Sequence, residues 1–274
     1  MPSFRWLVSA EDTPYMAWQC WLFRHSARTR CALEPTFVLH RSGGRRDDLF
    51  ERMARAGADL VPAENYRLRP DGMDYAPRNS PGTLLEAARR FSEDYFVLFD
   101  PDMLCVHAPE LRGRLSADRV NSMGPDHPSV RAALDRAGLT GGERRWLEEE
   151  ARVSVGVPYV VPRPLAADLA AMWLRLIDAE PVFNWAMVMW DFALACVKLG
   201  WPYDVTELAD SNWQESRPAT KPLIHYCYGD DGTWTKRGFL VSSDEVWRRL
   251  PAGEEGTIQG EIAKQLGEAA RELG

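Results

Sequence analysis

The stretch YFVLFDPDM, residues 95–103, decides the fold that we expect for this chain of 274 residues. Its first five residues form a continuous apolar run, which is typical of a strand buried on both faces of a sheet. Two carboxylates, Asp100 and Asp102, follow at the carboxyl end of that strand. Ligands of open α/β sheets bind at this edge. The stretch therefore predicts a central strand and a candidate site together.

Residues before this strand alternate between strand and helix patterns. We predict strands over 4–9, 36–40 and 59–61, and helices over 14–25, 45–56 and 81–91. Pro14 suits the first turn of its helix, and Asp12 or Thr13 is the expected cap. The alternation predicts βαβ units, and hence an α/β fold with a Rossmann-type, mostly parallel central sheet flanked by helices.

The second half of the chain has a less regular pattern. We predict strands over 153–161 and 222–228, helices over 143–151, 164–177 and 184–199, and an amphipathic C-terminal helix that begins near Ile258. No repeat, low-complexity tract or linker divides the chain, so we expect a single domain over 1–274.

Composition and charge narrow the class of protein. The formal net charge is -7 and 45% of the residues are hydrophobic, which predicts a folded chain that is a poor general binder of nucleic acid or of anionic membranes. No apolar run reaches the length of a membrane span, and the N-terminus lacks the pattern of a signal peptide. Five cysteines without CxxC spacing indicate free thiols in a reducing compartment. We therefore expect a cytoplasmic protein.

Asp100 and Asp102 have two interpretations. Asp-Pro-Asp is good turn chemistry, but two hard oxygen ligands at a strand end also suit Mg2+ or Mn2+ beside a polyanionic substrate. His225, in the apolar segment LIHYCY, is either a core histidine with one satisfied hydrogen bond or the third ligand of such a site. We expect a strand-end site of this kind to face mostly solvent.

Two classes of enzyme place DxD after an apolar strand. Phosphatases of the haloacid-dehalogenase type also need a Ser/Thr motif before their late acidic motif. Here the acidic candidate at 230–231 precedes Ser242 and Ser243, so the order is wrong. The other class is the nucleotide-sugar glycosyltransferase of GT-A type, in which the two aspartates hold a divalent ion against the donor diphosphate.

Five blocks of the sequence resemble plant hydroxyproline O-arabinosyltransferases and the related peptidyl-serine α-galactosyltransferases. The blocks occur in family order and are spread over most of the chain, from residue 11 to residue 239. They are EDTPYMAWQCWLFRH (11–25), DYAPRNSPGTLLEAA (74–88), EDYFVLFDPDMLCV (93–106), NWAMVMWDFALACVKLG (184–200) and LIHYCYGDDGTWTKRGF (223–239).

This resemblance implies a GT-A fold, a UDP-sugar donor, a hydroxyl acceptor on a peptide or small natural product, and retention of configuration. It implies Mn2+ or Mg2+ as cofactor, held by Asp100, Asp102 and His225. Residues 1–106 would form the nucleotide-sugar-binding half, and residues 107–274 the acceptor half with the C-terminal helix.

Further donor-binding residues follow from the same alignment. Asn79 matches the asparagine that precedes the donor-facing helix. The family often has a basic residue directly after this asparagine; here Ser80 follows it, and the basic residue Arg78 precedes it. Lys236 and Arg237 match a late basic pair that would meet the diphosphate. Ser9, at the end of the first predicted strand, is added as a candidate.

The candidate for catalysis departs from the family pattern. The family has a glutamate where we align Val188, and Asp191 lies nearby by helical spacing, so Asp191 is the candidate catalytic residue. Two alternatives stay open. One is another nucleotide-using enzyme such as a nucleotidyltransferase, although no glycine-rich phosphate loop follows the first strand. The other is a catalytically silent protein that binds a nucleotide-sugar.

Overall fold

The structure is a computed structural model that describes residues 2–44, 47–120, 124–211, 217–227, 234–240 and 242–273. It divides into two compact units. Unit 1 comprises Met1–Leu7, Glu64–Leu98 and Arg112–Glu207, and unit 2 comprises Val8–Ala63, Phe99–Leu111 and Leu208–Gly274. The assignment of a donor half to 1–106 and an acceptor half to 107–274 stays a prediction.

A seven-stranded central sheet has the order β3-β2-β1-β4-β7-β6-β8. Its strands are β1 Phe4–Glu11, β2 Thr36–His40, β3 Asp59–Ala63, β4 Tyr95–Phe99, β6 Ser116–Arg119, β7 Val155–Pro162 and β8 Asp204–Thr206. The sheet is mostly parallel, and β7 is antiparallel to both of its neighbours. The predicted α/β class, with a mostly parallel central sheet flanked by helices, is confirmed.

A second, three-stranded sheet lies in unit 2 with the order β5-β10-β9. Its strands are β5 Met103–Cys105, β9 Ala209–Ser211 and β10 Leu223–His225. β10 ends three residues before the predicted 228, because the Cys227 backbone N–H bonds at 3.0 Å to the His225 carbonyl and turns the chain. Tyr228, the last residue of the predicted strand, lies outside the described residues.

The α-helices of the described ranges include all the predicted ones, with shifted ends, and two that were not predicted. They are α1 Pro14–Cys31, α2 Asp48–Arg55, α3 Asn79–Arg90, α4 Pro128–Arg136, α5 Gly141–Glu148, α6 Arg163–Ala179, α7 Met187–Lys198, α8 Asp244–Arg248 and α9 Ile258–Leu273. The two that were not predicted are α4 and α8. Residues 45–46, where the second predicted helix began, are not described.

Helix α1 begins at the predicted residue but ends later than predicted. Thr13 caps the helix, because its side chain accepts a hydrogen bond from the Met16 N–H. The helix continues beyond the predicted end at 25 and stops at Ala32, whose backbone is left-handed with φ 54°. The last turn carries Arg28 and Arg30, which the helix dipole favours at this end.

Each unit has its own aromatic and aliphatic core. In unit 1, Tyr159, Trp173 and Phe192 pack with ring centroids 4.3–5.2 Å apart. In unit 2, α9 docks on α1 and β5: Trp21 Nε1 donates to the Ala269 carbonyl at 3.1 Å, and Gln265 Nε2 donates to the Cys105 carbonyl at 2.8 Å. The second of these buried hydrogen bonds holds β5, the strand that follows the DxD segment, against α9.

Candidate metal centre

Three candidate ligands, two carboxylates and one imidazole, converge in unit 2 at the carboxyl end of β4. One ligand atom from each of Asp100, Asp102 and His225 lies within 4.8 Å of the others. His225 Nε2 is 3.3 Å from Asp102 Oδ1 and 4.0 Å from Asp100 Oδ2. The side chains predicted from separate parts of the sequence are therefore brought together.

Strand pairing explains why His225 reaches the carboxylates. β10 runs antiparallel to β5 with His225 opposite Met103, the residue after Asp102. The Tyr226 backbone N–H donates to the Asp102 carbonyl at 3.0 Å, which holds the pair just beyond the strand end. The register, set by hydrogen bonds, thus fixes the position of the imidazole.

Asp102 is more enclosed than we expected. Its residue is 7% exposed, so the expectation of a mostly solvent-facing site is wrong for this carboxylate. The reason is the 3₁₀ turn Lys236–Phe239, which covers it and places Lys236 Nζ in hydrogen-bond contact with Asp102 Oδ2. Asp100, in contrast, keeps 35% of its side chain exposed.

An aromatic cluster of unit 2 supports that turn. Trp18 lies 6.0 Å from Tyr226, 6.0 Å from Trp234 and 6.1 Å from Phe239, measured between ring centroids. Trp18 is fully buried, so its role in the structure is helix packing. The sequence analysis did not single out Tyr226, Trp234 or Phe239. Their aromatic character was the available signal, but it carried no information about which residues meet.

The pKa values of the two aspartates shift in opposite directions. Burial and repulsion from Asp102 raise the pKa of Asp100 to about 6, against the opposing effects of His225 and Lys236. Burial also acts to raise the pKa of Asp102, but the positive charges of Lys236 and His225 outweigh it, so that this pKa is lowered. Asp102 is therefore the firmly ionised member of the pair.

The carboxylate of Asp102 raises the pKa of both nearby basic groups, His225 and Lys236. Burial acts to lower the pKa of His225, but interactions with Cys227 and Asp102 raise it well above its ordinary value. Burial likewise opposes the charge of Lys236, and Asp102 raises its pKa. Without a bound cation, the negative charge of Asp102 is thus balanced by groups of the chain itself.

This donor set fits a divalent cation. Two carboxylates suit Mg2+ or Mn2+, and an imidazole nitrogen adds a ligand that Mn2+ accepts more readily than the oxygen-seeking Mg2+. Lys236 contacts Oδ2 of Asp102, and the other oxygen, Oδ1, faces His225. A cation could therefore share Asp102 with the lysine.

Two further candidates for donor binding belong to unit 2. Ser9 is buried on β1, and Arg237 is exposed on the turn beside Lys236. Their contacts with a donor stay predictions, as does a contact between Lys236 and a diphosphate.

Arg78 and Asn79 belong to unit 1, where both make structural contacts. Arg78 Nε and Nη2 donate to the two carboxylate oxygens of Asp178 at 2.8 and 2.9 Å, and Nη1 donates to the Tyr66 carbonyl. Asn79 is buried and its side-chain oxygen accepts from the Tyr66 N–H at 2.8 Å. Both residues hold the segment before α3 in place, and their binding roles stay predictions.

Asp191 also belongs to unit 1, on α7, and is completely buried. Neither carboxylate oxygen has a hydrogen-bond partner among the described residues. Burial and the nearby Glu180 raise its pKa well above the ordinary value, although Arg136 and Arg69 act in the opposite direction. These surroundings favour the neutral, protonated form of the carboxyl group. The catalytic role of Asp191 stays a prediction.

Comparison with known proteins identifies the class of the fold. The chain has an α/β fold of the GT-A type. One similar solved structure is the crystal structure of an active-site mutant of LgtC. It matches with a TM-score of 0.54 and 13% sequence identity, over 85% of this chain and 93% of that chain. At this identity the likeness shows the fold alone.

Sequence-level comparison adds no family. No family model and no curated protein matches the chain. The resemblance to the plant arabinosyltransferases and galactosyltransferases therefore stays a prediction.

Within the described residues no helix is both long and apolar enough to cross a membrane. All five cysteines are free.

Proposed function

We propose that the chain is a metal-dependent glycosyltransferase that moves a sugar from a UDP-sugar to a hydroxyl acceptor on a peptide or small natural product. The observation that carries the proposal is the cluster of Asp100, Asp102 and His225 at a strand end of a GT-A fold. Strand-end carboxylates of this kind suit a cation that is shared with a diphosphate.

The cation is proposed to be Mn2+, or Mg2+ in its place, held by Asp100, Asp102 and His225. A divalent ion at this position supplies charge neutralisation for the diphosphate as it departs. Asp102 is ionised over the working pH range, because its pKa is lowered. Asp100 must also be ionised, so we expect binding of the cation to weaken as the pH falls through about 6.

Lys236 is proposed to orient Asp102. Its ammonium group holds Oδ2, which fixes the carboxylate plane and directs Oδ1 toward His225. Arg237, exposed on the same turn, is proposed to contact the diphosphate together with Lys236. Ser9, Arg78 and Asn79 complete the proposed donor-binding set.

Transfer is proposed to retain the anomeric configuration, as the family resemblance implies. In a front-face substitution, the leaving phosphate oxygen accepts the proton of the acceptor hydroxyl, and no enzyme nucleophile is needed. Asp191 is the proposed catalytic side chain. It has no exposed surface in this structure, so direct contact with a substrate would require α7 or its surroundings to open.

The decisive experiment compares nucleotides by thermal shift in the presence of Mn2+. UDP should raise the melting temperature more than GDP, CMP or ADP. A ligand present at a hundred times its dissociation constant adds about 2.7 kcal/mol to the free energy of unfolding. The variant Asp100→Asn should lose this shift. Asp168→Asn, which changes an exposed aspartate on α6, is the matched control and should keep it.

Two outcomes would contradict the proposal. Stabilisation by ADP alone would favour another nucleotide-using enzyme. Binding of UDP-sugars without hydrolysis or transfer to any acceptor would favour a catalytically silent binding protein. Where transfer is found, the anomeric configuration of the product, read by NMR, tests retention.

A further inference from the structure

Unit 1 contains a cavity whose wall is dominated by arginine. Its volume is about 350 Å3, and its lining includes Arg112, Arg114, Arg119 and Arg152 together with Tyr203 and Asp204. Four guanidinium groups around one cavity are unusual for a chain with a net charge of -7. The cavity is built from β6, β8 and the segments beside them, and the acidic cluster belongs to unit 2.

Arg152 is held in place by aromatic side chains. Its guanidinium carbon lies 5.0 Å from the centre of the Trp146 ring, within the range of a cation–π contact. Trp146 packs edge-on against Tyr203 with centroids 5.2 Å apart, and the Tyr203 hydroxyl donates to the Arg152 carbonyl at 2.6 Å. The arginine is therefore oriented before any ligand arrives, which reduces the entropic cost of binding.

Three of the arginines lie near acidic side chains. The pairs are Arg114–Asp204 at 3.7 Å, Arg119–Glu207 at 3.5 Å and Arg152–Glu149 at 3.9 Å. None of these separations is a good hydrogen-bond distance, and the three acidic side chains are 48%, 62% and 59% exposed. Ion pairs with exposed partners of this kind contribute little to the stability of the fold. Arg112 forms no ion pair with any described residue.

The cavity wall also contains a neutral hydrogen-bond donor, the hydroxyl group of Ser116. Ser116 is a buried residue of β6 that lines the cavity, and its hydroxyl makes no hydrogen bond to the described part of the chain. Thr206 on β8 also lines the cavity, but its hydroxyl donates to the Ala117 carbonyl and to Asp118. Ser116 is thus available to a ligand that offers oxygen acceptors.

We propose that this cavity binds a small molecule through a phosphate-type dianion. The guanidinium fork matches tetrahedral oxyanions and donates two hydrogen bonds at once. A cavity of about 350 Å3 lies at the small end of ligand sites, which suits a phosphoryl or sulfate group with a short attached part. The proposal does not depend on the proposed transferase activity.

The test uses inorganic phosphate and sulfate as probes of the metal-free full-length protein at low ionic strength, measured by calorimetry. The variant Arg112→Gln/Arg114→Gln removes two exposed charges of the lining, so its fold should survive, and circular dichroism checks this. We expect phosphate to bind wild type, and the double variant to bind at least about tenfold more weakly. Arg175→Gln, an exposed arginine on α6 outside the lining, should bind like wild type.

Three results would overturn the proposal. They are no binding of either probe to wild type, equal affinity in the double variant and wild type, and an equal loss in the Arg175→Gln control. Competition by succinate, a dianion without a tetrahedral oxyanion group, tests whether the cavity distinguishes a phosphate-type group from carboxylates. If it competes as well as phosphate, the assignment to a phosphate-type group is wrong.

Discussion

His225 Nε2 lies 3.3 Å from Asp102 Oδ1, and Lys236 Nζ contacts the other oxygen of the same carboxylate. Asp102 is therefore flanked by two basic groups of its own chain. Asp100 has no comparable partner, and its carboxylate is the more exposed of the two. Because of this asymmetry, we expect Asp100→Asn and Asp102→Asn to change the stability of the fold by different amounts.

Asp100→Asn should remove cation binding and preserve the fold. The amide keeps the size of the side chain but removes a charged ligand, and Asp100 makes no hydrogen bond to a described residue. We expect the Mn2+-induced rise in melting temperature to disappear. An unchanged rise would mean that the Asp-Pro-Asp segment is only a turn.

The same variant should also change how stability depends on pH. The pKa of Asp100 is raised from 3.8 to about 6 in the folded state, so the folded chain holds this proton more tightly than the unfolded chain. This favours folding below about pH 4, and the advantage is lost as the pH rises through 6. The metal-free Asn variant should therefore gain stability over wild type between pH 4 and 6, as measured by urea unfolding. A constant difference across that range would contradict the raised pKa.

Asp102→Asn should be strongly destabilising, unlike the change at Asp100. It leaves the buried Lys236 ammonium without its carboxylate, and breaking a buried pair costs about 3–5 kcal/mol. The double variant Asp102→Asn/Lys236→Met should lose less than the sum of the single losses, since the two sites share one interaction. Glu148→Gln breaks the exposed pair with Arg144 and is the control, with a loss of at most about 1 kcal/mol. Additive losses at Asp102 and Lys236 would show that the contact contributes nothing.

His225→Ala should show its largest loss of stability in acid. The folded state raises the pKa of His225 well above 6.5, so its contribution is fully present below pH 6.5 and is lost as the pH rises through the folded pKa. Urea unfolding of metal-free protein across this range measures the effect. The variant should also lose most of the Mn2+-induced stabilisation. A loss of stability that does not vary with pH, with the Mn2+ effect intact, would identify a plain core histidine.

Asp191→Asn should cost little stability at any pH at which the buried carboxyl is protonated, because the raised pKa favours the neutral acid and the amide has nearly the same shape. Wild type should lose stability as the pH rises through the raised pKa of Asp191, since the unfolded chain releases this proton more easily. The Asn variant should lack this dependence in thermal melts at increasing pH. Full transfer activity in the variant would rule out the proposed catalytic role.

The sequence alone determined the features that depend on short-range patterns. The apolar run over Tyr95–Phe99 predicted a buried central strand, because a strand covered on both faces of a sheet has a continuous run of apolar residues. The alternation before it specified the α/β class, and the Thr13-Pro14 signal placed the start of α1. The two carboxylates at the end of β4 followed directly from that strand.

Tertiary structure alone decided which distant residues meet. The three-residue strands β5 and β10 are too short to show a period, yet their register places His225 beside Asp102. The enclosure of Asp102 by Lys236 depends on a turn held by Trp18 and its aromatic neighbours. The arginine-lined cavity likewise needs β6 and β8 to pair. These contacts come from packing and hydrogen bonds between segments far apart in the chain, and no local pattern encodes them.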